Sequence, residues 1–370
     1  MTKPIGSAAT TQQPAYSARD TLARLLVRWE WLLVVLIIAV AVLNTRLSPF
    51  FLRTNNLLRT TSDFMEIGIM MLPMVFIIVT GNIDLSIAST LGLSASFMGW
   101  LHIMGVNIWL AATAALLVGA LAGLLNGVLI ARLRLPALVV TLGTFSFYRG
   151  LAYALLGDQA ARGYPPAFTS LGQGTLGRTR IPVALLIFVL LALAFGLVLN
   201  RMTFGRYLYV IGNNEEASRF SGVPTVRIKI AMYVLSGLMA ALAGLILAAR
   251  FGSTRPDIGT GLELTVITVT VLGGISIFGG SGTMIGAILA LLLIGILRFG
   301  MGLVNIQGQV QDIVIGSLLI LSILLPRLAG QLSAIRSWRG ATLGKIGLAL
   351  LVTVLFGWFF FWSRTLIPAK

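Results

Sequence analysis

Apolar runs of about twenty residues, the length that crosses the hydrocarbon core of a bilayer, recur along this chain with only short polar breaks between them. They lie near 30–46, 63–80, 85–103, 108–130, 137–156, 182–200, 230–249, 263–279, 284–302, 310–326 and 346–362. Inside lipid every backbone N–H and C=O must find a partner within the protein, and a helix supplies one along its own length. The expected fold is an all-α polytopic membrane protein of about ten or eleven transmembrane helices. Of 370 residues, 57% are hydrophobic and 10% charged, so water is not the main solvent. The first run follows a polar leader, 1–28, and contains "AVA" at 39–41, which resembles a signal-peptide cleavage site. Its many following spans make it a first transmembrane helix instead.

The formal net charge is +16. Its basic residues sit in short loops beside the apolar runs, as positive-inside topology and anionic lipid favour. There is no aromatic-interleaved basic platform for a nucleic-acid strand. With the N-terminus inside, the inner segments hold Arg19, Arg24, Arg28, Arg132, Arg134 and the stretches 201–229 and 327–345. That amounts to roughly fifteen basic residues inside against about ten outside. The chain then divides into a cytoplasmic segment (1–28), a membrane body (29–330) and a basic linker with one additional C-terminal span (331–370).

Catalytic chemistry finds little support. No cysteine is present, which excludes a disulfide framework and thiolate metal sites, and a single histidine makes no metal cluster. "GGSGT" (279–283) contains G-x-S-G, but a serine nucleophile needs a base within hydrogen-bond reach. His102 is predicted on the opposite membrane side from Ser281 and reads as an interfacial residue, so the segment reads as a tight glycine turn. "GATLGKIG" (340–347) lacks the glycine spacing of a P-loop and has no Ser or Thr after Lys345. Any ATP-driven work therefore falls to another subunit.

One segment breaks the apolar pattern sharply. "VTGNIDLSIAST" (79–90) places Gly81, Asn82, Asp84 and Ser86 at membrane depth, which implies a broken helix buried in protein or lining a cavity. Asp84 has two readings that are compatible. It caps the helix that follows, or it is an ionisable group on a solute or coupling path. Further polar residues in or near spans are Asp63, Glu66, Arg149, Glu263, Arg298 and Asp312, several close enough to a span end to reach the interface. "TLGTFSFYRG" (141–150) carries Thr141, Thr144, Phe145 and Tyr148, hydroxyls beside aromatic faces that suit a neutral polyol or simply pack against neighbouring helices. "GALAGLLNG" (119–127) and "GTMIG" (282–286) have glycines four apart, a pattern of close helix approach that Ala/Gly-rich helices also show without it. Two loops are long enough to be surfaces: a Gly/Pro-rich outer one (157–181), and an inner one (201–229) with a short helical stretch and adjacent carboxylates at Glu215 and Glu216.

Taken together, "GNIDLSIAS" (81–89), "LRLPALVVTLGTFSFYRGLA" (133–152), "TFGRYLYVIGNNEEASRFSGV" (203–223) and "VLGGISIFGGSGTMIGAILALLLIGIL" (271–297) resemble the permease subunit of monosaccharide ABC importers, the ribose-type family. The resemblance covers residues 45 to 326, with four separated motifs in order. Within it, "LGDQAARGYPPAF" (156–168) and "GSTRPDIGTGLEL" (252–264) are most similar to the rhamnose branch, then to autoinducer-2 permeases. Asn82 stands where the family carries a second glycine, and the span at 346–362 is additional to its usual ten.

The resemblance implies a type II importer-like fold with broken helices in the bacterial inner membrane. It implies a second permease subunit, the same or a paralogue, cytoplasmic ATPases that hold ATP and Mg, and a periplasmic sugar-binding protein. No cofactor is expected in this chain itself. The substrate pathway would involve Asn82, Asp84, Ser86, Thr141, Thr144, Phe145, Tyr148 and Glu263. ATPase coupling would use Gly212, Asn213, Asn214, Glu215, Glu216 and Arg219, and docking of the binding protein Arg162, Arg250 and Arg255. The alternatives are an autoinducer-2 or amino-acid permease of the same kind, or a secondary transporter in which Asp84 or Glu263 carries a proton or cation.

Overall fold

A computed structural model describes residues 29–177 and 179–335. The leader 1–28 and the span at 346–362 lie outside the described residues. Ten apolar helices correspond to the ten other predicted spans: α1 (Trp29–Leu47), α3 (Met65–Val79), α4 (Ile87–Ile103), α5 (Ile108–Ala131), α6 (Ala137–Leu156), α8 (Val183–Arg201), α11 (Thr225–Phe251), α12 (Leu262–Leu272), α13 (Met284–Leu303) and α14 (Gly308–Ile335). Short elements connect them: α2 (Thr54–Thr61), α7 (Pro166–Gln173), α9 (Thr203–Asn213) and α10 (Glu215–Phe220). Two outer segments, β1 (Ala161–Arg162) and β2 (Ser253–Thr254), pair antiparallel with Ala161 opposite Thr254. Helix α14 runs through residue 331, so the boundary drawn at 330 falls within a helix.

Local chemistry sets most ends. Pro136 and Pro182 precede α6 and α8, where a missing N–H costs nothing. Asn107 Oδ1 accepts from Trp109 N at 2.9 Å to cap α5, and Thr283 Oγ1 accepts from Gly286 N at 3.1 Å to cap α13. Gly252, left-handed at φ 64°, closes α11. The predicted span 263–279 ends early, at Leu272. Beyond it Gly274, Gly279, Gly280 and Gly282 all hold positive φ, a conformation that no helix accommodates.

Helix α3 is buried at every position from Met65 to Val79. A helix apolar on all sides belongs inside the protein, and α11, α12, α8 and α13 surround it. Lipid-facing positions lie on outer helices such as α8, where Leu190, Leu193 and Leu197 are exposed. The glycines of "GALAGLLNG" do mediate close approach. A Cβ on Gly123 would overlap the carbonyl oxygen of Tyr233, and one on Gly237 would overlap that of Gly119, so α5 and α11 cross backbone to backbone.

Candidate functional site

The α3–α4 connection is a true break. Thr80 ends α3, Gly81 turns at φ 76°, and Asn82 N returns to Ile77 O at 3.2 Å. Asn82 Nδ2 donates to Thr80 Oγ1 at 2.9 Å, while Thr141 Oγ1 of α6 donates to the carbonyl of Ile83 at 3.3 Å. The freed backbone is thus partly satisfied by side chains, as a break at membrane depth requires.

Asp84 is buried, with 3% of its surface exposed. Oδ1 accepts from Ser86 N at 2.9 Å and from Ser86 Oγ at 2.6 Å, and Oδ2 accepts from Ser236 Oγ of α11 at 2.9 Å. The contact with Ser86 N is an Asx-turn bond that fixes the chain just ahead of α4, whose N-cap is Ser86 itself, without a side-chain cap bond. Ser86 Oγ in turn accepts from Asn126 Nδ2 of α5 at 2.8 Å, and Tyr148 OH of α6 donates to Ala122 O at 2.8 Å and lies 3.3 Å from Asn126 Oδ1. One carboxylate therefore knots α4, α5, α6 and α11. Asn126 lies five residues before the end of α5 and Ser236 eleven after the start of α11, so a rise of 1.5 Å per residue puts the knot roughly 8 to 16 Å above the inner helix ends.

The expected pathway residues divide. Asp84, Ser86, Thr141, Thr144 and Tyr148 come together but are buried within one subunit, with Thr144 Oγ1 bonded back to Val140 O at 3.0 Å. Phe145 is half-buried on the same helix. Glu263 is elsewhere, in the first turn of α12 at the outer side. Arg149 is a staple, donating to Pro256 O at 2.7 Å, Ile258 O at 3.0 Å and Ala88 O at 3.2 Å. Gly92 leaves room for it, since a Cβ there would stand 2.5 Å from Arg149 Nη1. Asn126 and Ser236 were not foreseen. An asparagine inside "GLLNG" is a usable signal, whereas a serine in a Leu/Ala-rich helix carries none.

On the inner side α10 forms where a short helical stretch was expected, capped by Asn214 Oδ1 accepting from Ala217 N at 2.9 Å. Glu215 is engaged internally by Lys229, a nearly buried lysine in the first turns of α11. Glu216 and Arg219 remain exposed. A cavity of about 430 Å³ is lined by Asn82, Arg134, Glu215, Glu216, Arg219 and Lys229 among others. The break and the inner helix, expected as separate sites, thus share one wall-to-wall space.

On the outer side, Arg250 is not a spare cation. Its Nε donates to Glu66 at 2.9 Å and its Nη1 to Asp63 at 2.9 Å, tying the outer ends of α3 and α11. Arg255 faces Asp257 at 3.2 Å with both exposed, and Arg162 is exposed on β1. Tyr164 OH donates to Thr254 Oγ1 at 2.7 Å, and burial pushes this phenol up to about 12, so it stays a neutral donor. Because Glu66 is buried with Arg250 as its ionic partner, Arg250→Met is expected to destabilise the subunit by about 3 kcal/mol, the cost of stranding a buried charge. A thermal shift in detergent checks this, and adding Glu66→Gln should recover part of the loss. Among the described residues no group of three or more His, Cys, Asp or Glu side chains could hold a metal.

Ten apolar helices, two of them the buried pair that the break separates, with a capped charged helix beneath the break, define a multi-pass transport subunit. The chain belongs to the family described as "Branched-chain amino acid transport system / permease component", which matches residues 56–323. It is 39% identical over 325 residues to the autoinducer 2 import system permease protein LsrD of Klebsiella pneumoniae, covering 86% of this chain and 96% of that one. Proteins of the same name from Photorhabdus laumondii (37% over 316 residues; 84% and 94% covered) and Yersinia enterocolitica (40% over 299; 79% and 90%) are also similar. No solved structure matches the chain. It is a multi-pass inner-membrane protein and a non-catalytic component, of a family that works with ATPase and binding-protein partners.

Proposed function

We propose that this chain is the membrane-spanning subunit of an ATP-driven importer for autoinducer 2 or a similarly small polyhydroxylated solute. Binding-protein delivery and ATP with Mg on a separate ATPase complete the system. The relatives carry the cargo assignment, since those described above are named for autoinducer 2 import; the rhamnose branch finds no such support. The geometry that carries the mechanism is the shared cavity, in which Asn82 of the break faces Glu216 and Arg219 of the inner helix. An ATPase that moved α10 would act on the space directly under the break. Reversing a two-state population from 1:99 to 99:1 takes about 5.5 kcal/mol of differential interaction, within reach of two ATPases closing on such helices.

Reconstitution in vesicles with the ATPases and binding protein tests the reading. Uptake of autoinducer 2 should require ATP and exceed uptake of rhamnose or leucine. Reversing the exposed Glu216 to lysine, which leaves the Glu215–Lys229 pair in place, should lower uptake while leaving membrane insertion intact. Uptake that follows a proton gradient and ignores ATP would overturn the proposal in favour of a secondary transporter.

A further inference from the structure

Three glycine-bearing segments that are far apart in sequence meet at one point on the inner side. The end of α3 brings Val79 and Gly81, the end of α9 brings Gly212 and Asn213, and the α12–α13 loop brings Gly279, Gly280 and Gly282. Gly280 N donates to Val79 O at 2.8 Å. A Cβ on Gly212 would overlap Val79 O and lie 2.5 Å from Gly280 N, and one on Gly279 would lie 2.8 Å from Gly212 O and 2.9 Å from Gly81 N. Tyr209 OH of α9 donates to Gly282 O at 2.9 Å, and Asn213, whose Nδ2 donates to Tyr209 O at 2.9 Å, covers Gly280.

We propose that this junction transmits movement of the ATPase-facing helix pair α9–α10 to the break at Gly81–Asp84, with Gly212, Gly280 and Tyr209 as positioning residues. The inference rests on the reading that α9–α10 meets an ATPase. Close glycine packing also joins α5 to α11, but there it unites two long helices inside the membrane. Here the glycines join a helix end to two irregular segments, and the contact is backbone against backbone. Such contacts have no side chain to yield, so a shift of α9 displaces Val79 and the loop at 279–282 with it rather than being absorbed. Val79 is the last residue of α3, two positions from Gly81. The path from the inner helix to the break therefore runs through the close contact of Gly212 with Val79 O, or through two hydrogen bonds, Tyr209 OH to Gly282 O and Gly280 N to Val79 O. It also gives a role to "GGSGT", whose glycines all adopt positive φ.

Tyr209→Phe and Gly212→Ala, placed in the full importer with its ATPases and binding protein, test the assignment by two readouts: binding-protein-stimulated ATP hydrolysis and uptake per ATP. Tyr209→Phe removes one hydroxyl and no packing volume. It should keep hydrolysis while uptake per ATP falls about three- to ten-fold, the range for one lost hydrogen bond. Gly212→Ala, if it assembles, should lose more, and Gly302→Ala, where a Cβ meets nothing within 4 Å, should change neither readout. Unchanged uptake per ATP in Tyr209→Phe overturns the proposal, whatever Gly212→Ala does. So does a parallel fall in hydrolysis and uptake, which marks a merely structural role. Wild-type uptake that needs no ATP would instead overturn the importer reading, and the junction's role with it.

Discussion

Asp84→Ala is expected to abolish uptake, while Asp84→Asn retains most of it. Three donors converge on this carboxylate: the N–H and hydroxyl of Ser86 and the hydroxyl of Ser236. Alanine leaves all three buried without their acceptor, and each stranded group costs about 1–3 kcal/mol. The loss is compounded because Ser86 Oγ also accepts from Asn126, so rotation of the serine breaks the tie to α5. Asparagine keeps Oδ1 for Ser86, and its amide can donate to Ser236 Oγ, since a hydroxyl accepts as readily as it donates. Uptake in vesicles, with the amount of folded subunit measured in parallel, separates the outcomes. A folded but inactive Asp84→Asn would show that charge itself is needed and would restore the ionisable-path reading of this residue.

The choice between a local backbone role and charge was legible in the sequence, because an aspartate three residues before a helix start and at membrane depth has few other uses. Its partners were legible in unequal measure. Asn126 stands out as the polar residue in an apolar run, but Ser236 shares its helix with residues of every small type, and only the three-dimensional crossing of α4 with α11 selects it. Arg250 is the clearest case of what sequence hides. Read alone, it is a basic residue at an outer span end and suits a docking role; its partners Asp63 and Glu66 lie 187 and 184 residues away. The spans were legible because lipid demands continuous apolarity over about twenty residues. The early end of α12 was not: the glycines at 279–282 read as a turn, but Gly273 and Gly274 in an apolar stretch look like helix until the positive φ of Gly274 is known. The shared cavity was out of reach too. Asn82 and Glu216 belong to different motifs, and nothing in either predicts that they face one space.

Alanine placed at Gly123 and at Gly143 is expected to shift stability in opposite directions, although the chemical change is the same. In a helix interior alanine is favoured over glycine by about 1 kcal/mol, and Gly143 on α6 has nothing within 4 Å of a new methyl. That variant should be neutral or slightly more stable. At Gly123 the methyl would overlap Tyr233 O and crowd Gly237 N of α11, both backbone atoms. Neither can rotate away, so α5 and α11 must separate along their length. Separation undoes the matching contact in which Gly237 meets Gly119 O, and overpacking alone typically costs about 1–3 kcal/mol. It also pulls Asn126, one turn further along α5, away from Ser86, so the packing defect reaches the Asp84 knot. Gly123→Ala should therefore lower the melting temperature in detergent and reduce uptake together, and Gly123→Leu should leave no folded subunit. If Gly123→Ala melts like Gly143→Ala, the two helices do not cross at backbone distance, and the framework holding the break is not the one described.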